Sequence, residues 1–113
     1  MSKVYKEVAQ DSAALIGKLR KEIPDVMTGF GALASAATKE GALDKKTKEL
    51  IAIGMAVAAR CDGCIALHTQ SVVKLGASRA EFLETLGMAI YMGGGPSVVY
   101  AAEALKAFDE FSV

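Results

Sequence analysis

The sequence predicts an all-α protein, a single-domain helical bundle of about six helices spanning residues 1–113. Three observations support this fold class. A chain of 113 residues suits one domain. Apolar residues recur at helical spacing, and almost no segment alternates as a strand would. Capping residues and Gly or Pro breaks divide the chain into segments joined by short connections, as in a helical bundle.

The first two helices are predicted from an apolar stripe and from a proline. In VYKEVAQDSAALIGKLRKEI, apolar side chains recur close to every 3.6 residues, which predicts an amphipathic helix. The stripe consists of Val4, Val8, Leu15, Ile16 and Leu19. Pro24 suits the first turn of a second helix, because proline lacks a backbone donor. We expect this helix to run through DVMTGFGALASAATKE and to end at Gly41.

The third helix begins after Asp44, a residue type that caps helix N-termini. Its first turn carries three lysines, which we expect to form a solvated face: Lys45, Lys46 and Lys48. Beyond Glu49 the helix is apolar almost all round, which predicts a central, largely buried position. The fourth helix follows Arg60 and ends at Gly76, a typical C-terminal stop.

The last two helices are separated by a glycine-rich break. Ser78 and Glu81 form the pattern of a capping box at the start of the fifth helix. Gly93–Gly95 interrupts the helix, and Pro96 then suits the first position of the sixth. Tyr91 and Met92 precede the break and are candidates for lining a pocket. The methionines are expected to fill the core: Met27, Met55, Met88 and Met92.

Composition argues against several classes of partner. Thirteen basic residues balance thirteen acidic ones, so no charge excess favours nucleic acid or an anionic membrane.

The first 22 residues carry charges throughout and lack the apolar core of a leader. The uncharged stretch from Leu86 to Ala102 is broken by GGGP, which argues against a spanning helix. We therefore expect a soluble, cytoplasmic protein, and its 52% apolar content favours a homo-oligomer.

Both cysteines and the single histidine lie within RCDGCIALHTQ, residues 60–70. On a helix, Cys61, Cys64 and His68 fall within about 60° of one another. Helical positions three apart lie about 5–6 Å from each other, within reach of a disulfide. The helix N-terminus favours a thiolate near Cys61, and the imidazole of His68 can act as a base near Cys64. The spacing therefore predicts a reactive dithiol with a proton acceptor.

Glu49 is the predicted partner of His68. If Arg60 lies at the turn of a helical hairpin, the two residues sit roughly 5 Å apart along the helix axes, and a bridging water improves the fit. The expected order of the relay is then Glu49, His68, Cys64 and Cys61. Zinc bound by these four residues is the structural alternative. Three ligands on one helix argue against it, because structural zinc sites usually draw their pairs from separate loops.

The segment ELIAIGMAVAARCDGCIALH, from Glu49 to His68, resembles the alkyl hydroperoxidase D-like group of the carboxymuconolactone decarboxylase superfamily. The similarity continues in GALDKKTKELIAIG and in LGASRAEFLETLGMAIYMGGGPSVVYAAEAL, over about two thirds of the chain. It implies an all-helical fold and assembly into a trimer or hexamer. It also implies hydroperoxide reduction with electrons from an external dithiol, a lipoylated or thioredoxin-like protein, and with no cofactor or metal.

The resemblance further implies roles for the four residues. Cys64 would attack the peroxide, Cys61 would resolve the intermediate, and His68 and Glu49 would move the proton. Two features depart from well-characterised peroxidases of the group: Gly63 replaces a second histidine, and the chain is shorter. Two other functions therefore stay open. One is a decarboxylase-type lyase that uses His68 and Glu49 alone, although that branch lacks the cysteine pair; the other is a non-catalytic thiol–disulfide module.

Overall fold

A computed structural model describes residues 3–113. The first two residues, which belong to the predicted domain and to the N-terminal segment predicted to lack a leader, lie outside the described part of the chain. The described residues form six α-helices and no strand, which confirms the predicted fold class. The helices are α1 (Tyr5–Glu22), α2 (Pro24–Thr38), α3 (Lys45–Ala59), α4 (Asp62–Lys74), α5 (Arg79–Gly93) and α6 (Gly95–Phe111). None of these helices is both long enough and apolar enough to cross a membrane.

The core lies where α3, α4, α5 and α6 meet, with the first half of α1 closing one side. Alanine lines much of the contact, which lets the helices approach closely. Larger side chains fill the centre, and the rings of Phe82 and Phe108 lie 4.7 Å apart between α5 and α6. The largest fully buried side chains are Tyr5, Phe82, Ile53, Ile65, Val57, Val72 and Thr69.

The predicted caps are present in α3 and α5. The carboxylate of Asp44 accepts a hydrogen bond from the backbone N–H of Thr47 at 2.7 Å. Ser78 and Glu81 form a complete capping box, and Gly76 ends α4 with a φ of 82°. The break before α6 is narrower than predicted. Gly94 alone interrupts the helices, and it has a φ of 71°, which glycine adopts without strain.

The second helix is shorter than predicted, and the lysines of α3 explain part of the difference. It ends at Thr38, because the chain becomes extended at Lys39. The ammonium group of Lys48 donates to the carbonyls of Ala37 and Lys39, at 3.0 and 2.6 Å, and so caps the end of α2. Lys46 pairs with Glu81 of α5 at 2.9 Å. The expectation of a purely solvated lysine face was therefore wrong for these two residues.

Several residues expected to be buried are exposed. In α1 the buried side chains are Tyr5 and Ala9, while Leu15 is 64% exposed. None of the methionines predicted to fill the core is buried, and three of them are largely exposed: Met55, Met88 and Met92. These three line an open apolar groove of about 480 Å³ between α3 and α5, so the prediction that they fill the core was wrong. Helix α2 buries no residue at all.

Candidate functional site

The left-handed backbone conformation of Arg60 places the cysteine motif at the start of α4. Arg60 ends α3 with a φ of 58°, which reverses the chain and forms the predicted helical hairpin. The backbone N–H of Cys61 then bonds to the carbonyl of Ala56 at 3.1 Å. Cys61 is consequently the extended N-cap of α4, not a residue within the helix as the sequence suggested.

Cys61 and Cys64 are joined by a disulfide, with their Cα atoms 5.2 Å apart. The sulfur of Cys61 accepts a hydrogen bond from the backbone N–H of Cys64 at 3.2 Å. Both cysteines are only partly buried. Because the sulfur caps a helix N-terminus, free backbone donors and the helix dipole favour negative charge at this atom after reduction.

Glu49 and His68 lie in direct contact across α3 and α4. Oε1 of Glu49 is 2.7 Å from Nδ1 of His68, so the bridging water that the sequence argument invoked is not needed. The Glu49 side chain is 8% exposed and that of His68 is 39% exposed. An ionised carboxylate can only accept, so Nδ1 carries the hydrogen and Nε2 is left as the basic nitrogen.

The four predicted site residues therefore gather at the α3–α4 hairpin. His68 follows Cys64 by four residues, so both side chains project from the same face of α4. The cysteine pair is partly accessible, as is the imidazole beside it. In residues 3–113 no group of three or more His, Cys, Asp or Glu side chains is arranged to hold a metal ion. The arrangement is suited to proton transfer beside a dithiol.

A cluster around Asp62 was missed at the sequence level. This carboxylate lies between the two cysteines in the chain and forms an ion pair with Lys3 at 2.8 Å. Lys3 also lies 3.1 Å from Glu103, and the buried hydroxyl of Tyr5 contacts both acids. The only signal in the sequence was the charge of Asp62 inside the Cys-x-x-Cys motif, which requires a partner when it is partly buried. Its partners belong to the N-terminal segment, α1 and α6, which no local pattern links to α4.

Gly63 is explained by close packing of α1 against α4. A Cβ atom at this position would lie 2.9 Å from the hydroxyl oxygen of Ser12, closer than non-bonded atoms normally approach. The space that a side chain would occupy between the cysteines is thus partly filled by Ser12. The absence of a second histidine at this position therefore agrees with the local packing.

Fold and site together define an all-helical protein with a redox-capable Cys-x-x-Cys helix terminus and an adjacent Glu–His pair. The model of the carboxymuconolactone decarboxylase family matches residues 24–107. A protein of Cupriavidus necator is 41% identical over 93 residues, which cover 82% of each chain. Protein 4 of the cox locus of Paracoccus denitrificans is 31% identical over 99 residues, covering 88% of this chain and 89% of its own. The chain belongs to the carboxymuconolactone decarboxylase family.

Solved structures agree with this assignment. A carboxymuconolactone decarboxylase family protein of Legionella pneumophila, in its apo form, is 62% identical and superposes with a TM-score of 0.94. That match covers 96% of this chain and 97% of the other. A family member from Thermotoga maritima, suggested to be involved in an antioxidative response, is 31% identical with a TM-score of 0.80. It covers 92% of this chain and 88% of its own.

Proposed function

We propose that the protein is a thiol-dependent hydroperoxide reductase of the alkyl hydroperoxidase D-like group. The proposal chiefly rests on the contact between Glu49 of α3 and His68 of α4, the helix that begins at the cysteine pair. A buried carboxylate orients the imidazole so that Nε2 can take a proton from a thiol. The relative from Thermotoga maritima, with its suggested antioxidative role, supports the same chemistry.

The proposed cycle begins with the reduced pair. His68, held by Glu49, removes the proton of Cys64, and the thiolate attacks one oxygen of the hydroperoxide. The O–O bond breaks, Cys64 becomes a sulfenic acid, and the alkoxide leaves as an alcohol after taking up the proton. The Cys61 thiolate then attacks the Cys64 sulfur, and the hydroxyl departs as water once protonated. This step forms the disulfide.

An external dithiol completes the cycle. One of its thiolates attacks the disulfide to give a mixed disulfide, and its second thiol displaces the protein thiolate. The dithiol is oxidised and both protein cysteines are again reduced. We propose a lipoylated or thioredoxin-like protein as this reductant, because both present two neighbouring thiols.

A hydroperoxide-consumption assay with dithiothreitol as the reductant tests the proposal. The wild-type protein should consume hydroperoxide, and Cys64→Ser should abolish turnover. Cys61→Ser should leave a sulfenic acid on Cys64 that dimedone traps. If dimedone labels Cys61 in Cys64→Ser instead, the two roles are exchanged.

Two outcomes would overturn the proposal. Reversible disulfide exchange without any hydroperoxide turnover would identify a thiol–disulfide module. Lyase activity on a carboxymuconolactone substrate that survives replacement of both cysteines would identify a decarboxylase that uses His68 and Glu49.

A further inference from the structure

The carboxylate of Asp62 occupies a special place in the redox motif. It is the first residue of α4 and the direct neighbour of Cys61. Lys3 from the N-terminal segment bridges Asp62 and Glu103 of α6, at 2.8 and 3.1 Å. The side chains of Lys3 and Asp62 are 38% and 35% exposed, so water screens them only in part.

The Tyr5 hydroxyl stabilises the negative charges of Asp62 and Glu103 only in part. This hydroxyl lies 2.9 Å from Glu103 and 3.3 Å from Asp62. Burial, followed by the hydrogen bond to Glu103, raises the pKa of Tyr5 well above its usual range, so the hydroxyl keeps its proton. One proton can be donated fully to one acceptor, and the shorter distance favours Glu103. Compensation of the Asp62 charge therefore depends mainly on Lys3.

Cys61 is the thiol whose acidity depends most on how far Lys3 neutralises Asp62. Its sulfur caps α4 and accepts the backbone N–H of Cys64, an arrangement that stabilises a thiolate after reduction. A carboxylate on the next residue opposes that negative charge, because adjacent side chains lie within a Debye length of about 8 Å. A cation that neutralises the Asp62 carboxylate reduces its repulsion of the Cys61 thiolate.

We propose that the Lys3–Asp62 ion pair sets the acidity of the Cys61 thiol, with Lys3 acting as a positioning residue through Asp62. The acidity of Cys61 requires only that the cysteine pair is reduced, whereas its consequence for the cycle rests on the proposed function. A more acidic Cys61 attacks the Cys64 sulfenic acid as a thiolate at neutral pH. The N-terminal segment thereby takes part in the step that forms the disulfide.

The charged or titratable groups near the pair come from every neighbouring element. The N-terminal segment and α1 contribute Lys3 and Tyr5, and α6 contributes Glu103. Helix α6 also contributes Tyr100, whose ring centre lies 5.6 Å from the Lys3 ammonium, and Lys106, whose ammonium lies 5.8 Å from the Tyr5 ring centre and pairs with Glu110. The α3–α4 hairpin contributes Glu49 and His68, which contact each other, and the exposed Arg60. Of these groups, only Lys3 and Tyr5 contact the Asp62 side chain.

The test measures the Cys61 pKa in the reduced full-length protein carrying Cys64→Ser, so that one thiol reports. Thiolate absorbance and iodoacetamide alkylation are followed against pH. Lys3→Met leaves Asp62 uncompensated and should raise the pKa of Cys61. Asp62→Asn removes the carboxylate beside Cys61, while Lys3 remains paired with Glu103, and should lower the pKa of Cys61. Each shift should be roughly 0.5–1 pH unit. The double variant should return close to the parent, and Lys3→Arg should not shift it.

Opposite shifts distinguish charge from structure, because both single variants break the same ion pair. A merely structural clamp would move the Cys61 pKa in the same direction in both, and that result would overturn the inference, as would no shift in either. Lys46→Met is the matched control: it removes the ion pair with Glu81 about 20 Å away, at the other end of α3. No peroxide is used, so loss of hydroperoxide turnover would reject the proposed function without affecting this result.

Discussion

Oε1 of Glu49 lies 2.7 Å from Nδ1 of His68, and this contact joins the two helices of the α3–α4 hairpin. Glu49 is almost fully buried, and a buried carboxylate is costly unless it is paired. The imidazole is only partly buried. One ring nitrogen therefore serves the carboxylate, while the other is free to exchange protons near the cysteine pair.

Replacement of the Glu–His pair should slow thiolate formation. His68→Ala removes the base, and hydroperoxide turnover should fall by roughly 10²- to 10⁴-fold. Glu49→Gln keeps the shape but removes the charge that stabilises a protonated imidazole, so its effect should be smaller but in the same direction. Alkylation rates against pH measure the thiolate directly. Glu84→Gln, an exposed position on α5, is the control; wild-type alkylation in both site variants would contradict the relay.

A side chain at position 63 should be tolerated only when Ser12 is shortened. Gly63→Ala should destabilise the protein by about 1 kcal/mol, because the new Cβ meets the Ser12 hydroxyl. Ser12→Ala removes that oxygen and leaves its Cβ at an ordinary 3.6 Å. Chemical denaturation of both single variants and the double variant should give a favourable coupling of about 1 kcal/mol. Strict additivity would mean that Ser12 rotates away at little cost.

The end of α5 should not accept a methyl group. A Cβ at Gly93 would lie 2.0 Å from Oγ and 2.9 Å from Cβ of the buried Ser97. Gly93→Ala should therefore cost about 2 kcal/mol or more of unfolding free energy. Gly17→Ala is the matched control, since nothing lies within 4 Å and alanine favours α1 by about 0.5–1 kcal/mol. Equal stability of the two variants would contradict the close approach of α5 and α6.

Thr69 carries a buried hydroxyl without a hydrogen-bond partner among the described residues. Thr69→Val replaces it with a methyl group of similar size and should stabilise the protein by about 1 kcal/mol. Thr85→Val is the control, because the hydroxyl that it removes donates to the carbonyl of Glu81 at 3.0 Å. No gain in stability is therefore expected for this variant. Thermal unfolding of the two variants in parallel makes the comparison. Destabilisation by Thr69→Val would indicate that an ordered water satisfies the hydroxyl.

The apolar groove between α3 and α5 should lie at a subunit interface. Met55, Met88 and Met92 are each more than half exposed there, and such surface is usually covered. We propose a homotrimer, or a hexamer built from three dimers. Sedimentation equilibrium should give a multiple of the 11.8 kDa chain, and Met88→Glu should weaken the assembly. Lys18→Glu on α1 is the surface control. A monomeric wild-type protein would refute the assembly, and a dimer would refute its threefold form.

The sequence alone predicted the six helices and the residues of the candidate site. Capping residues such as Asp44 and Ser78 act within one helical turn, so local pattern located the starts of α3 and α5. The spacing of Cys61, Cys64 and His68 predicted a bridged pair next to an imidazole. The family resemblance, carried by the same residues, agreed with the family match of residues 24–107.

Only the tertiary structure decided how side chains distant in the chain meet. The direct contact of Glu49 with His68 depends on the exact packing of α3 on α4, which helical periodicity places only to within several ångströms. Ser12 against Gly63, and Lys3 against Asp62, join elements with no local pattern in common. The sequence also did not show that Leu15 and Met88 are exposed. An apolar stripe shows that a helix face is apolar, but not which surface covers it.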